Sequence, residues 1–290
     1  MFDFRYHALS LVAVFLALAV GLLLGVAIGD RGLVSSAEQG LRDDLKEDVR
    51  NARDESQIQQ EALGANRVYD QRTYPAVVRD LLRGRRVVVV FTHGRSDEIL
   101  THVDDALRPT GGRLESQTTL RMPMDLDGLQ SALAGSRYAG LAGDDGLQQD
   151  LARDAGREIA EGSGRLVGDA DVRTALFTES SGTLDGADAV VLVRSDPGDR
   201  PRAQANREDA FERAFIEGLH DAQVPVVGVE TTTTEPSQIG FYERNGVASV
   251  DDVDQVYGWA SLVLCLTGSA HGAYGVKDSR DAFLPEGLTR

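Results

Sequence analysis

From Ala8 to Ile28 the chain reads ALSLVAVFLALAVGLLLGVAI, an apolar run without a single charge. At 1.5 Å per residue, a helix of that length matches the roughly 30 Å hydrocarbon core of a bilayer, so the segment predicts a transmembrane helix. A cleaved signal peptide is the competing reading: Arg5 is a basic leader, and Ala27-Ile28-Gly29 resembles a small-x-small cleavage site. The run is longer than the usual signal core, which favours an uncleaved anchor.

Within the run Ala13, Ala17, Gly21, Gly25 and Gly29 recur at every fourth position and lay small residues along one ridge. In lipid, where apolar surface gives no drive for association, such a ridge lets two helices pack by close van der Waals contact. Abundance of Ala and Gly is the plain alternative. Apart from Ser10 the segment offers no side chain able to coordinate an ion, so it reads as an anchor and not as a pore lining. Charge does not fix its orientation, because Arg5 precedes the helix while Arg31, Arg42 and Lys46 follow it.

The formal charge is −16, and the first 31 residues contribute none of it, since Asp3 and Asp30 balance Arg5 and Arg31. The part beyond the anchor is therefore acidic, which argues against nucleic-acid binding and against a polybasic lipid anchor. Cationic partners, metal ions included, remain electrostatically allowed. Cys265 is the only cysteine, so neither an intramolecular disulfide nor a cysteine-based zinc site is available.

Between Leu33 and Asn66 there is no proline, and the composition suits an exposed helix. Leu45, Val49, Ala52, Ser56, Gln59, Leu63 and Asn66 alternate spacings of four and three, which is coiled-coil spacing weakened by polar occupants. A solvated helix packed on its own domain is the alternative. A seam directly behind a membrane ridge favours a parallel homo-oligomer, each association raising the effective concentration for the other.

After Tyr74-Pro75 the pattern changes. Arg86 to Thr92 (RVVVVFT) is a continuous β-branched run, followed by a turn at Gly94, an N-cap at Ser96 and helical spacing from Asp97 to Leu107. Ala187 to Arg194, a helix over Ala203 to Gln223, and Val224 to Val229 repeat the logic, with a weaker strand around Leu114 to Thr118 and helices at Leu126–Leu133 and Leu147–Ile159. Continuous apolar strands alternating with helices imply a mostly parallel, two-sided sheet. Tyr257 to Thr267 is too short to span a membrane and reads as a buried element carrying Trp259 and Cys265. The expected fold class is α/β: a transmembrane anchor (1–31), a helical coiled-coil stalk (32–70) and a Rossmann-like, mostly parallel sheet domain (71–290).

Ligand sites in such sheets gather beyond the carboxyl ends of the strands, here His93 to Ser96, Ser195 and Asp196, and Glu230 to Thr234. No G-x-G-x-x-G follows the first strand, and neither a P-loop nor G-x-S-x-G occurs, so no enzyme is expected. Gly268-Ser269-Ala270-His271-Gly272 places a hydroxyl near an imidazole without an orienting acid, and reads as a turn. Asp104-Asp105, Asp144-Asp145 and Asp251-Asp252 could hold a hard cation if folded together; separately each reads as a solvated turn or helix face. For a soft ion such as Cu(I) the donors are Met122, Met124, Cys265 and imidazoles at His93, His102, His220 and His271. Met122 and Met124 are the locally suggestive pair, with adaptable core filling as the plain alternative.

The opening FRYHALSLVAVFLALAVGLLLG (Phe4 to Gly25), the stalk behind it and the late SVDDVDQVYGWASLVLCLTGSAHGAYGVKDSRDAFLP (Ser249 to Pro285) resemble the MctB family of copper transporters. The resemblance implies a cell-envelope membrane protein, its soluble domain extracytoplasmic, that takes part in copper efflux or homeostasis; no cofactor is expected, and the resemblance alone allows a copper ion. The family role of an outer-membrane channel would call for alternating ten-residue strands with aromatic girdles, and this sequence has continuous strands and 6% aromatic residues. Two other functions fit the residues alone. One is a structural or partner-binding oligomeric envelope protein without transport activity; the other is a degenerate Rossmann-like binder of a small ligand.

Overall fold

From Phe4 to Gly29 (α1) the chain is one uninterrupted helix; it contains no proline, and after Arg5 no Asp, Glu, Lys or Arg. The computed structural model describes residues 4–29, 33–196 and 198–286. Arg31 and Gly32, where anchor was expected to give way to stalk, lie outside the described residues. Arg5–Ala27 is long and apolar enough to cross a membrane, the only such span among the described residues. The chain divides into two units, Met1–Asn66 and Arg67–Arg290.

A second helix, α2 (Leu33–Val77), runs past the expected stalk end at residue 70 and through Pro75. Proline there removes the backbone donor that would bond the Gln71 carbonyl, a cost it escapes only in a first turn. Tyr74 explains why the helix continues: it is buried, and its hydroxyl donates to the Ala106 carbonyl at 2.7 Å. In the single chain Leu45, Val49 and Leu63 of the expected seam are exposed.

The elements that follow are β1 (Arg86–Thr92), α3 (Asp97–Leu107), β2 (Arg113–Leu120), α4 (Leu126–Ala132), α5 (Asp145–Glu161), α6 (Arg165–Gly168), α7 (Ala170–Leu176), β3 (Phe177–Gly182), β4 (Ala189–Arg194), α8 (Arg202–Asp221), β5 (Val226–Val229), α9 (Ile239–Arg244), β6 (Ala248–Val250), α10 (Val256–Leu266) and β7 (Ala273–Tyr274). The strands form one sheet in the order β3-β2-β1-β4-β5-β6-β7. All pairings are parallel except that of β3 with β2. As the sequence predicts, Ser96 caps α3, its Oγ accepting from the Ile99 amide, and Cys265 is buried; the apolar run from Tyr257, which the sequence left open between helix and strand, is helical.

Successive residues of β1 serve two cores. Val88 and Val90 pack with α5 and α8 residues such as Leu151, Ile159, Phe211 and Phe215, while Val87, Val89 and Phe91 pack with Val103, Leu107, Leu262 and Leu266 of α3 and α10. That two-sided burial is why the strand is continuously apolar. Helices α5 and α8 approach closely because each carries a glycine at the crossing: a Cβ on Gly156 would collide with the Phe215 carbonyl, and one on Gly218 with the Arg153 carbonyl. Backbone cannot rotate aside as a side chain can, so Gly218→Ala should cost about 1–3 kcal/mol. Urea unfolding followed through Trp259, the only tryptophan, measures it.

Candidate functional site

The order of strands reverses between β1 and β4, and the carboxyl ends of β1, β4 and β5 open on the crevice where ligands of such sheets sit. His93 follows β1 in a left-handed conformation (φ 65°) that aims its ring into the crevice. Glu208, Phe211, Glu212, Phe215 and Leu219 are buried at helical spacing on α8, so two carboxylates occupy positions that otherwise belong to an apolar stripe. His93 Nε2 lies 3.0 Å from Glu208 Oε2, and Nδ1 lies 3.1 Å from Glu212 Oε1. Burial alone would lower the imidazole pKa; Glu212 and then Glu208 outweigh it, and the pKa is raised.

Two guanidinium groups complete the cluster. Arg194, the last residue of β4, donates through Nε to Glu212 Oε2 at 2.6 Å and through Nη2 to Asp209 Oδ1 at 2.7 Å, and its Nη1 donates to the side-chain Oε1 of Gln238. Its guanidinium carbon sits 4.1 Å above the Phe241 ring. Arg200 donates to Asp196 at 2.8 Å and shares Glu208 with His93. Burial would raise the Glu212 pKa, but His93 and Arg194 hold it below the usual carboxylate range. His93 and Asp196 are thus brought together as the strand-end expectation required, but they are tied up by the chain's own ion pairs.

The Glu230–Thr234 segment meets that cluster through Gln238, which accepts from Arg194 and donates its amide to Glu230. Glu230, fully buried, accepts from Ser237 Oγ at 2.7 Å, the Gln238 amide at 2.6 Å and Lys277 Nζ at 2.6 Å. Thr232 donates from its amide and its hydroxyl to Asp254 at 2.8 and 2.7 Å. Behind β7 the terminal segment is strapped down by Asp251, which accepts from the Val276 amide at 2.7 Å and the Lys277 amide at 3.0 Å.

Asp251-Asp252 is therefore not the solvated turn that its composition suggests: both residues are buried, at 1% and 0% exposure. Asp251 is satisfied by the backbone amides of the strap, whereas neither carboxylate oxygen of Asp252 has a hydrogen-bond partner among the described residues. Burial, with the charges of Asp251 and Asp254, pushes the Asp252 carboxyl up to about 7. Asp144 caps α5 instead, and Asp104 and Asp105 pair with Arg108 on the surface of α3.

Met122 and Met124 lie in the loop after β2, partly buried against the α5/α8 core. His102 packs 6.4 Å from Trp259, ring to ring. Ser269 bonds to Thr267 Oγ1 at 2.8 Å in a turn whose Gly268 has φ +79°, as the turn reading has it. Ala13, Ala17, Gly21 and Gly25 share one exposed face of α1, and Gly29 ends the helix. Among the described residues no three His, Cys, Asp or Glu side chains are already drawn together for a metal ion. Arg194, Arg200, Glu208, Glu212, Gln238 and Lys277 were not expected at the crevice; two glutamates four apart on the apolar stripe of a helix are the signal that could have found them.

A family model described as "Copper transport outer membrane protein, MctB" matches residues 1–285. The chain belongs to this family. Proteins named "Copper transporter MctB" from Mycobacterium tuberculosis (strain ATCC 25618 / H37Rv) and Mycobacterium bovis are each 32% identical to it over 120 residues, which is 41% of this chain and 38% of theirs. The Mycobacterium leprae (strain TN) protein of the same name is 33% identical over 120 residues. The matched stretch thus spans under two fifths of the length of these MctB relatives.

Proposed function

We propose that the protein is a single-pass envelope protein that keeps cellular copper low, acting without catalysis. The observation that carries this reading is the MctB match over residues 1–285, joined by the name shared by the relatives. In this reading α1 holds the chain in the bilayer, the ridge of Ala13, Ala17, Gly21, Gly25 and Gly29 and the seam on α2 make a parallel coiled-coil oligomer, and the Rossmann-like domain stands outside the cytoplasm. Support for the Rossmann-like description comes from the strand order, which runs 3-2-1-4-5-6 before the last short strand. Met122 and Met124 are one candidate pair of soft donors.

The sheet argues against the domain forming the pore itself. It is open, with β3 and β7 at its edges and helices on both faces, and a membrane barrel must close so that no backbone group faces lipid unpaired. Deleting the gene should make growth copper-sensitive and raise cell-associated copper, with both effects reversed by the intact chain. Unchanged tolerance and copper content would remove the copper role.

A second reading, a partner-binding scaffold, is favoured by one observation: the crevice is filled by the chain's own ion pairs around His93, Arg194 and Arg200. That filling also leaves little basis for a small-ligand binder. Crosslinking in cells that captures neither a second copy nor another protein would count against the scaffold.

A further inference from the structure

At the edge of the sheet opposite the crevice, where β5 and β6 begin, lies a cavity of about 460 Å³. It is lined by three of the soft-metal donors that the sequence scatters over 50 residues: His220 from the end of α8, Cys265 from α10 and His271 from the turn that follows. Val224, Pro225 and Ala248 supply apolar walls. Both imidazoles are exposed and Cys265 is 2% exposed. None of the three side chains has a hydrogen bond or ion pair among the described residues, in contrast to His93, which is held between two carboxylates. We propose that His220, His271 and Cys265 are the ligands of a Cu(I) site in this cavity. The assignment rests on the copper reading above and gives it a location in the fold.

The chemistry favours a soft, monovalent ion. Thiolate selects Cu(I), imidazole accepts it, and the ion is content with few ligands. A thiol binds the ion as its thiolate, so Cys265 must lose its proton when the metal binds. The sulfur–hydrogen bond breaks, the sulfur–copper bond forms, and one proton leaves to solvent as one monovalent cation enters. The buried wall therefore carries no added charge, whereas a divalent ion would leave a net positive charge there. Because the donors are not yet gathered, closure needs the two exposed imidazoles to swing inward over the cavity.

The test is a Cu(I) titration of the full-length chain in detergent micelles, without oxygen, against a chromogenic Cu(I) chelator. The expected result is one ion per chain, one proton released per ion, and affinity rising about tenfold per pH unit around neutrality. The double variant His220→Gln, His271→Gln lies at the exposed mouth and should keep its fold while losing at least the 10–100-fold that even a lost outer-sphere partner costs. Cys265→Ser should remove the proton release as well, with Trp259 emission checking that the core is intact. Undiminished affinity in the His variant would overturn the site. So would loss confined to a Met122→Leu, Met124→Leu control, an outcome that leaves the copper reading standing on other ligands. Absence of Cu(I) binding by the unaltered chain would also overturn the site, and the deletion strain would then decide the copper role by itself.

Discussion

Arg194→Met is expected to destabilise the domain by about 3–5 kcal/mol, because removing one partner of a buried ion pair leaves the other charge uncompensated. Glu212 is 2% exposed, and the Arg194 guanidinium donates directly to its Oε2. Once Arg194 is gone, His93 alone faces that carboxylate. Asp196 and Asp209 also lose a partner, but at 27% and 37% side-chain exposure they can turn to water. The cost is therefore concentrated on Glu212, which makes it separable: Arg194→Met combined with Glu212→Leu should recover most of the lost stability, since an apolar pair of similar volume carries no desolvation penalty. Urea unfolding of the three variants beside the original, read through Trp259, gives the comparison. If the double variant is as unstable as the single, the cluster's worth lies in packing around Phe241 and not in charge compensation.

That cluster also shows how far the residues alone could be read. Val87 to Phe91 and Val190 to Val193 announced themselves as strands because burial on both faces leaves no polar alternation, and the apolar N-terminal helix announced itself by its length and the absence of charge from Ala8 to Ile28. Ser96 was legible as a cap because capping is local chemistry. The antiparallel edge strand β3 was not, since Thr178 to Gly182 is exposed and polar and carries no hydrophobic period. The strand ends that border the crevice were legible, yet what stands there depends on tertiary pairing: Glu208 and Glu212 look like any solvated helix acids until Arg194 and Arg200, brought in from another strand and loop, are set against them. Lys277 reaches Glu230 from 47 positions away, which no local pattern encodes. His220, Cys265 and His271 were individually visible as soft donors, but only the fold shows that they share a cavity.

Asp252 supplies the largest pH effect. Its carboxyl titrates at about 7 in the folded chain against an ordinary value of 3.8, so between those values the folded state holds a proton that the unfolded state has released. Stability from this group is therefore greatest below about pH 4, falls as pH rises toward 7 and is flat above, a loss of about 4 kcal/mol at 1.36 kcal/mol per pH unit. Carboxylates held low in the fold, Glu208, Glu212 and Asp254 among them, act with the opposite sign at acid pH, so the unaltered chain shows only the sum. Asp252→Asn isolates the effect. The amide has nearly the carboxyl's shape and never ionises, so the variant should match the original at about pH 3.5 and exceed it by about 2–4 kcal/mol at about pH 8. Chemical unfolding at both values, with Trp259 in the helix that follows Asp252 as the reporter, makes the measurement. A variant that gains nothing at pH 8 would mean that Asp252 finds a compensating donor or cation when ionised, and restoration of the original's stability by added salt of a specific metal would identify which.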